Sequence, residues 1–234
     1  MKSKHHLHSP SEAQWISLSD LMTGMMMIFM LIAIAYMVKV EADAAKAHKI
    51  AILYEQTRDD LYNDLNNEFK DDLPKWGAEL DKNLIIRFKE PDVLFDTGKD
   101  VLKPKFEEIL GNFFPRYVRI ITSDKYKNSI QEIRIEGHTS SVWNSTTSPD
   151  DAYYLNMELS QSRTRSVLKY VLRLADVDVA RDWLRKYTTA NGLSSSKPIL
   201  NDDGTENPDK SQRVEFRIRT DADTRMANII ESSK

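Results

Sequence analysis

The sequence of 234 residues contains no cysteine, and it has only seven glycines and eight prolines to interrupt regular structure. The lack of cysteine excludes disulfide bonds and thiolate metal sites, and it fits an oxidising compartment without requiring one. A strong charge of either sign is also absent, because the formal net charge is −3. A near-neutral chain gives no electrostatic support for nucleic acid as a partner. The length suits one domain of ordinary size with additional segments.

Charge is missing altogether between Leu21 and Val38, where the sequence is continuously apolar. At about 1.5 Å per residue, a helix over residues 16–38 covers the roughly 30 Å hydrocarbon core of a bilayer. The alternative is a cleaved signal peptide, with the Ala-Ile-Ala sequence at 33–35 as its cleavage site. The apolar run is longer than the ~7–15 residues of a signal peptide and continues past that site. We therefore predict an uncleaved transmembrane helix over residues 15–39.

Asp20 places a carboxylate inside this predicted membrane segment. An ionised carboxylate at the centre of a bilayer costs at least ~2.5 kcal/mol, so acids within such segments usually have a function. The hydroxyls of Ser17 and Thr23 lie nearby in sequence, and residues 16–38 contain no base. This pattern is typical of half of a proton or cation site, whose other half comes from another chain. The alternative places Asp20 among the lipid headgroups, where water and the positive end of the helix dipole stabilise it.

The segment after the anchor, residues 40–80, is rich in Ala, Lys, Glu, Asp and Leu and contains one proline, Pro74. Apolar residues recur in it at helical spacing, which predicts a helical connector. The pattern is too short and irregular to predict a coiled coil, although packing against a second copy of the chain stays open. These apolar positions are Ile50, Leu53, Tyr54, Leu61, Leu65 and Phe69.

The remaining sequence, over residues 81–222, predicts an α+β domain. Its three apolar or alternating runs predict strands, and their separation by helical patterns predicts a small mixed sheet with helices on one face. The predicted strands are Leu84–Phe88, Ile130–Glu136 and Arg213–Arg219. The predicted helices are Leu102–Ile121, Ala152–Leu174 and Asp178–Tyr187, and the long loops are Ser140–Asp151 and Gly192–Lys210.

Four motifs follow one another in this domain, and together they are specific although each alone is weak. They are Phe95-x-x-Gly98-x-x-x-Leu102, I-x-I-x-G-H-T at 133–139, N-x-x-L-S-x-x-R at 156–163 and Q-R-V-E-F at 212–216. With them, about residues 83–220 resemble the OmpA-like, MotB-like peptidoglycan-binding domain. The resemblance implies a β/α sandwich that binds the peptide stem of peptidoglycan, without enzymatic activity, cofactor or metal.

The anchor also carries a resemblance, through the motif W-I-S-x-S-D-L-M at 15–22. It resembles the B subunits of ion-driven stator motors, and among them it is most similar to those of the Zorya anti-phage defence systems. This implies a single-pass protein of the bacterial inner membrane, with a cytoplasmic tail over residues 1–14, a periplasmic domain and a C-terminal tail over 223–234. The implied partners are peptidoglycan and a multi-span A-type subunit, five copies of which surround a dimer of this chain.

The resemblance also assigns roles to individual residues. Asp20 aligns with the ion-carrying aspartate of the stator subunits. Arg163 aligns with the arginine that recognises the diaminopimelate carboxylate, a task that suits the bidentate guanidinium group. The other residues assigned to peptidoglycan binding are Asn156, Leu159, Leu155 and Thr139. Asn156 and Leu159 precede Arg163 by seven and four residues, which places all three on one helical face beneath a turn at 137–139.

The sequence departs from the family pattern at Ser140, where most wall-binding domains have an aspartate that meets the ammonium group of the ligand. Either Asp150 or Asp151 substitutes for it from the long loop, or the domain holds the wall more weakly. His138, next to Thr139, is expected to be a structural residue rather than a metal ligand, because no second histidine lies nearby.

Two classes of function are therefore open at the level of the sequence. The first is a motor subunit in which Asp20 loads and releases an ion, and the second is a tether between membrane and wall that conducts nothing. Asp20 discriminates between them, because a tether needs no acid in its anchor. The choice between defence and motility, and that between proton and sodium, stay open.

Overall fold

A computed structural model of the chain describes residues 10–89 and 91–221. The chain forms two compact units, which divide between Ile52 and Leu53. Residues 1–9 of the predicted N-terminal tail and the whole predicted tail 223–234 lie outside the described residues. Residues 10–14, also assigned to the N-terminal tail, already belong to the first helix.

The first unit is helical throughout its described part. Helix α1, Pro10–Phe69, contains 60 residues and begins in this unit. Its segment Leu18–Lys46 is long and apolar enough to cross a membrane, and among the described residues it is the one such helix. The apolar side chains described from Trp15 to Val40 are exposed. An apolar surface of this size requires cover by lipid or by another protein.

The predicted helical connector over residues 40–80 is shorter than expected. Helix α1 ends at Phe69, and the chain then forms a 3₁₀ turn, Leu73–Trp76, that Gly77 terminates with a φ of 60°. Three of the apolar residues that predicted a helix are fully buried in the core of the second unit, namely Leu61, Leu65 and Phe69. The second unit therefore includes the end of α1, whose apolar spacing reflects packing into this core.

The second unit is built on a five-stranded mixed sheet with the strand order β1-β2-β5-β3-β4. Strands β3 and β4 are parallel, and the other neighbouring strands are antiparallel. The strands are β1 Ala78–Leu80, β2 Ile85–Phe88, β3 Ile130–His138, β4 Thr188–Gly192 and β5 Arg213–Thr220. The prediction of a mixed sheet is confirmed, but β1 and β4 were not predicted, because one is very short and the other does not alternate in polarity.

The helices of the second unit follow the prediction with shifted ends. Helix α4 begins three residues early because the Ser148 hydroxyl accepts a hydrogen bond from the Asp151 amide at 3.2 Å and so caps it. The helix predicted over residues 178–187 is divided into a 3₁₀ turn, Ala175–Ala180, and α5. The helices are α2 Pro91–Leu94, α3 Pro104–Ile121, α4 Pro149–Val171, α5 Arg181–Tyr187 and α6 Pro208–Ser211.

The core lies between the inner face of the sheet and helices α1, α3 and α4. Ile133 and Ile135 point into it from β3 and are completely buried, as their alternation predicts. Aromatic rings fill its centre at centroid distances of 5.1 to 6.2 Å, in tilted and edge-on arrangements that favour aromatic pairing. These rings belong to Phe88, Phe106, Phe113, Tyr117 and Phe216.

Tyr117 provides a test of this core. Its hydroxyl is buried without a hydrogen-bond partner among the described residues, and burial raises its pKa. We expect Tyr117→Phe to raise the free energy of unfolding by about 1 kcal/mol, because it removes a desolvated hydroxyl and keeps the ring. Urea denaturation of the full chain in detergent, followed by tryptophan fluorescence, measures this change.

Tyr126→Phe is the matched control, because the Tyr126 hydroxyl donates to the Asp64 carboxylate at 2.5 Å. This variant should lower the free energy of unfolding. A loss of stability in Tyr117→Phe as large as that in Tyr126→Phe would contradict an unpartnered hydroxyl at position 117.

Candidate functional site

Helix α4 carries most of the predicted binding residues, and two glycines bring it against the sheet. Gly137 and Gly192 are register partners in the parallel strands β3 and β4. A Cβ atom on Gly137 would lie 2.7 Å from Cγ2 of Thr164, and one on Gly192 would lie 2.3 Å from the Gln161 amide nitrogen. The Gln161 side chain also bonds the edge of β4, accepting from the Gly192 amide at 2.7 Å. This close approach fixes the depth of α4 on the sheet.

Arg163 lies on the buried side of α4 and is held by the loop that follows α2. Its Nε donates to the Lys99 carbonyl at 2.9 Å, and its Nη2 donates to the Asp96 carbonyl at 3.2 Å. The guanidinium group also stacks over the Phe95 ring, 4.9 Å from its centre. Burial lowers the pKa of Arg163 to about 10, and the Asp100 carboxylate opposes that shift, so the group stays charged at neutral pH.

These contacts correct one expectation about Arg163. Its alignment predicts a side chain that faces a ligand groove and that can be removed without affecting the fold. Its residue surface is only 8% exposed, and two of its nitrogens hold the loop at 96–99. Nη1 makes no hydrogen bond to a described residue, so its two N–H groups and the second N–H of Nη2 are left for a ligand. Arg163 therefore shapes the site as well as offering a charge to it.

Two polar side chains beside this face of α4 are buried without partners. Oγ1 of Thr139 and Nδ2 of Asn156 have no hydrogen-bond partner among the described residues, and both residues are 3% exposed. Leaving a buried polar group unpaired costs about 1–3 kcal/mol, which makes such groups candidates for ligand contacts. Asn156 and Arg163 share the buried face of α4 as predicted, with Leu159 half-buried beside them, whereas Leu155 is exposed.

A hydrogen-bond network ties the end of β3 to α4 and positions Thr139. The Thr139 amide donates to the Ser194 carbonyl at 3.0 Å, and the Ser194 amide donates to the Ser160 hydroxyl at 3.0 Å. The Ser194 hydroxyl donates to the Tyr153 carbonyl at 2.8 Å. Ser194 has a φ of 50°, a left-handed conformation that is uncommon outside glycine. Sequence patterns did not reveal Ser194, because its role depends on a backbone conformation.

The predicted turn at 137–139 is also displaced, since Gly137 and His138 belong to β3.

A carboxylate lies near Ser140 on a residue that the sequence did not indicate. The Asp151 carboxylate accepts a hydrogen bond from the Ser148 hydroxyl at 2.7 Å at the start of α4, and Asp150 is exposed there. Glu206 instead accepts hydrogen bonds from the Ser141 amide at 3.1 and 3.2 Å and from the Ser141 hydroxyl. A carboxylate therefore lies beside the residue that follows Ser140, contributed by the loop before α6.

His138 is buried on the outer face of β3, opposite the core. Burial, reinforced by the positive charge of Arg213, lowers the pKa of His138 to about 3, so the ring is neutral at pH 7. Potential ligand atoms of His138, Glu136 and Glu215 lie within 4.8 Å of one another, an arrangement that the sequence did not predict. Arginine side chains already contact both carboxylates, Arg217 on Glu136 and Arg213 on Glu215, and they supply the positive charge that a metal ion would bring.

The predicted ion site lies on α1, in the first unit. Asp20 is exposed on this helix, and the Thr23 hydroxyl donates to the Ser19 carbonyl at 2.8 Å. Ser17 belongs to the same helix, but its side chain lies outside the described residues. Residues 17, 20 and 23 follow one another at spacings of three, which places neighbours in this series close together on the helix surface.

Comparison with known proteins covers sequence from both units. The Zorya protein ZorB of Escherichia coli is 47% identical to this chain over 218 residues, which cover 93% of this chain and 92% of that protein. The chain belongs to the ZorB family. Residues 94–213 match the OmpA family and contain Arg163, Asn156 and Thr139.

A solved structure supports the fold of this ZorB-family chain. A MotB-like protein from Desulfovibrio vulgaris superposes with a TM-score of 0.52 at 24% identity, covering 73% of this chain and 99% of that protein. The predicted α+β class and the OmpA/MotB-like fold are thereby confirmed. Membership in the ZorB family also confirms the resemblance to the Zorya defence proteins that the anchor motif indicated.

Proposed function

We propose that this chain is the B-type stator subunit of an ion-driven rotary motor that acts in anti-phage defence. Its N-terminus is cytoplasmic, α1 crosses the inner membrane, and the C-terminal domain is periplasmic and bound to peptidoglycan. The observation that carries the proposal is Asp20, an acid on the exposed apolar helix of a ZorB-family chain. The decisive experiment replaces Asp20 with asparagine and measures both assembly and protection against phage.

The proposed mechanism is charge switching at Asp20. An ionised carboxylate accepts hydrogen bonds from a partner helix, whereas a protonated carboxyl group also donates one, so each protonation changes which packing arrangement is favoured. We propose the proton as the ion, because a single carboxyl group is sufficient to carry it. The hydroxyls of Ser17 and Thr23 complete the path, and the Thr23 oxygen keeps acceptor capacity while its proton is donated to Ser19.

Peptidoglycan is the proposed ligand of the second unit. An OmpA-family domain supplies the fold, and the charged Arg163 with the unpartnered Thr139 and Asn156 supplies polar groups for a peptide stem. Arg163 pairs with a stem carboxylate through Nη1, and Glu206 is the carboxylate proposed to meet the ammonium group of the ligand in place of the aspartate missing at Ser140. The exposed Leu155 and the half-buried Leu159 contribute apolar contact at the rim.

The proposed assembly contains two copies of this chain and five copies of a larger, multi-span A-type subunit. Asp20 has no counter-charge within residues 16–38, so its partner groups belong to other helices. Gly24, one turn further along α1, has no heavy atom within 4 Å of an added Cβ, which leaves room for the close approach of another helix.

This stoichiometry gives a direct prediction. Native mass spectrometry of the detergent-extracted complex should give a mass equal to two copies of this chain plus five of the larger subunit. Gly24→Leu should weaken the complex, because the larger side chain prevents close helix contact. Ala175→Leu is the control, since this exposed alanine begins the 3₁₀ turn Ala175–Ala180 of the second unit and adds bulk without backbone strain. A stable monomer of this chain, purified without any partner, would contradict the assembly.

A further inference from the structure

The outer face of the sheet, opposite the core, carries charged side chains from β3 and β5 in fixed register. Arg134 and Arg217 are direct cross-strand partners there. Like charges in such positions repel each other and destabilise a sheet. The successive pairs on this face are Glu132 with Arg219, Arg134 with Arg217, Glu136 with Glu215, and His138 with Arg213.

Neighbouring carboxylates neutralise these arginines only in part. Arg217 donates to Glu136 at 3.0 Å and to Glu215 at 3.3 Å. Arg134 and Arg219 share a single carboxylate, that of Glu132, at 2.8 and 3.4 Å. The end of the face that holds these three arginines therefore has more positive than negative charge.

This positive end forms one wall of a cavity of about 500 Å³. Further cations line it from outside the sheet, namely Arg58 of α1 and Lys197 of the loop after β4. Arg58 pairs with Glu55 at 3.8 Å, but its Nε is buried without a hydrogen-bond partner among the described residues. Lys197 is exposed and forms no ion pair with them. Against five cationic side chains, the lining contains one carboxylate, that of Glu136.

We propose that this cavity is a binding site for a small anion that carries several carboxylate or phosphate groups. Guanidinium groups pair with both kinds of oxyanion, often through two parallel hydrogen bonds. A concave site lined by one sign of charge concentrates the electric field and attracts ions of the opposite sign. The volume falls within the range of ordinary small-molecule sites. A bound anion also relieves the repulsion between Arg134 and Arg217.

The cavity is separate from the cleft proposed to bind peptidoglycan. Gly137, against which α4 packs, shares the inner face of β3 with Ile133 and Ile135. Arg134 and Glu136 alternate with these residues and point to the outer face, where the cavity opens. The two sites therefore lie on opposite faces of the sheet, and binding at one is measurable without the other.

Isothermal titration calorimetry of the full chain, in neutral detergent and phosphate-free buffer at constant ionic strength, tests the site. The probes are pyrophosphate and citrate, so that a phosphate ligand and a carboxylate ligand are told apart by which probe binds more tightly. We expect saturable binding of at least one probe, with Arg134→Gln/Lys197→Gln weakening it about tenfold or more, as the loss of charged hydrogen bonds requires. Lys197→Gln alone changes an exposed position and should also weaken probe binding measurably. This single variant gives a result even if the double variant misfolds.

The control variant is Arg185→Gln/Lys186→Gln, which removes the same charges from exposed positions of α5. It should bind the probes as the wild type does. The proposal is wrong if neither probe binds with a Kd below ~1 mM, or if the cavity variants bind like the wild type. It is also wrong if Arg185→Gln/Lys186→Gln weakens binding as much as the cavity variants do, because the effect then follows the net charge alone.

Discussion

Replacing Asp20 with asparagine should abolish protection against phage while leaving the membrane complex assembled. Asparagine keeps the size of the side chain and its capacity for hydrogen bonding, but it cannot gain or lose a proton. If the motor turns by protonation of this carboxyl group, the variant stops at the first step. Plaque counts on cells that express the complete defence system measure the effect, with protection expected to fall to the level of cells without the system.

Asp43→Asn is the matched control, because it removes an exposed carboxylate from the same helix beyond the uncharged stretch that ends at Val38. Protection should stay at the wild-type level in this variant. Co-purification of the partner subunit with the Asp20→Asn chain separates a stalled motor from one that never assembled. Full protection with asparagine at position 20 would overturn the motor and support a passive tether with Asp20 among the headgroups.

Arg163→Ala should weaken binding of the full chain to purified sacculi by about ten- to a hundred-fold. The change removes a charge-assisted pair of the kind worth roughly 1.5–3 kcal/mol, which corresponds to that range of affinity. Co-sedimentation of the detergent-solubilised chain with increasing amounts of sacculi measures the apparent Kd. Arg165→Ala, which removes an exposed arginine two residues further along α4, should bind like the wild type.

Because Arg163 also holds the loop at 96–99, the Arg163→Ala variant needs a stability measurement beside the binding measurement. The melting temperature of Arg163→Ala shows how far the loop contact contributes to stability. Thr139→Val then tests the cleft independently, since it removes a hydroxyl that has no partner among the described residues. We expect weaker sacculus binding by Thr139→Val at a melting temperature no lower than that of the wild type, because the lost hydroxyl is buried without a partner among the described residues. Wild-type affinity in both Arg163→Ala and Thr139→Val would exclude this cleft as the wall-binding site.

The sequence predicted those parts of the fold in which the pattern of apolar and polar residues matches the burial of their side chains. The apolar part of α1 and the alternation at Ile133 and Ile135 are of this kind, because the polarity of each side chain matches the environment of its own element. Strand β4 was missed because its place in the sheet comes from pairing with β3, and the sequence from Thr188 to Gly192 has no period of its own.

The sequence predicted which candidate residues share a helix face, and it predicted less of the contacts around them. The motif over residues 156–163 predicted that Asn156 and Arg163 share one face of α4, since helical spacing determines which side chains lie together. The contact of Arg163 with the loop at 96–99 joins segments more than sixty residues apart, and no local pattern encodes it. Glu206 was missed for the same reason, because the fold alone brings it next to Ser141.

The burial of the end of α1 has a practical consequence for protein production. A fragment that starts at residue 81 lacks strand β1 and the buried side chains of Leu61, Leu65 and Phe69. Loss of a single large core side chain typically costs about 2–5 kcal/mol, and the whole stability of a domain is only about 5–15 kcal/mol. Such a fragment should aggregate on expression, whereas one that starts at Leu53 keeps the core residues that the structure describes in α1 and is the better choice for crystals and binding assays.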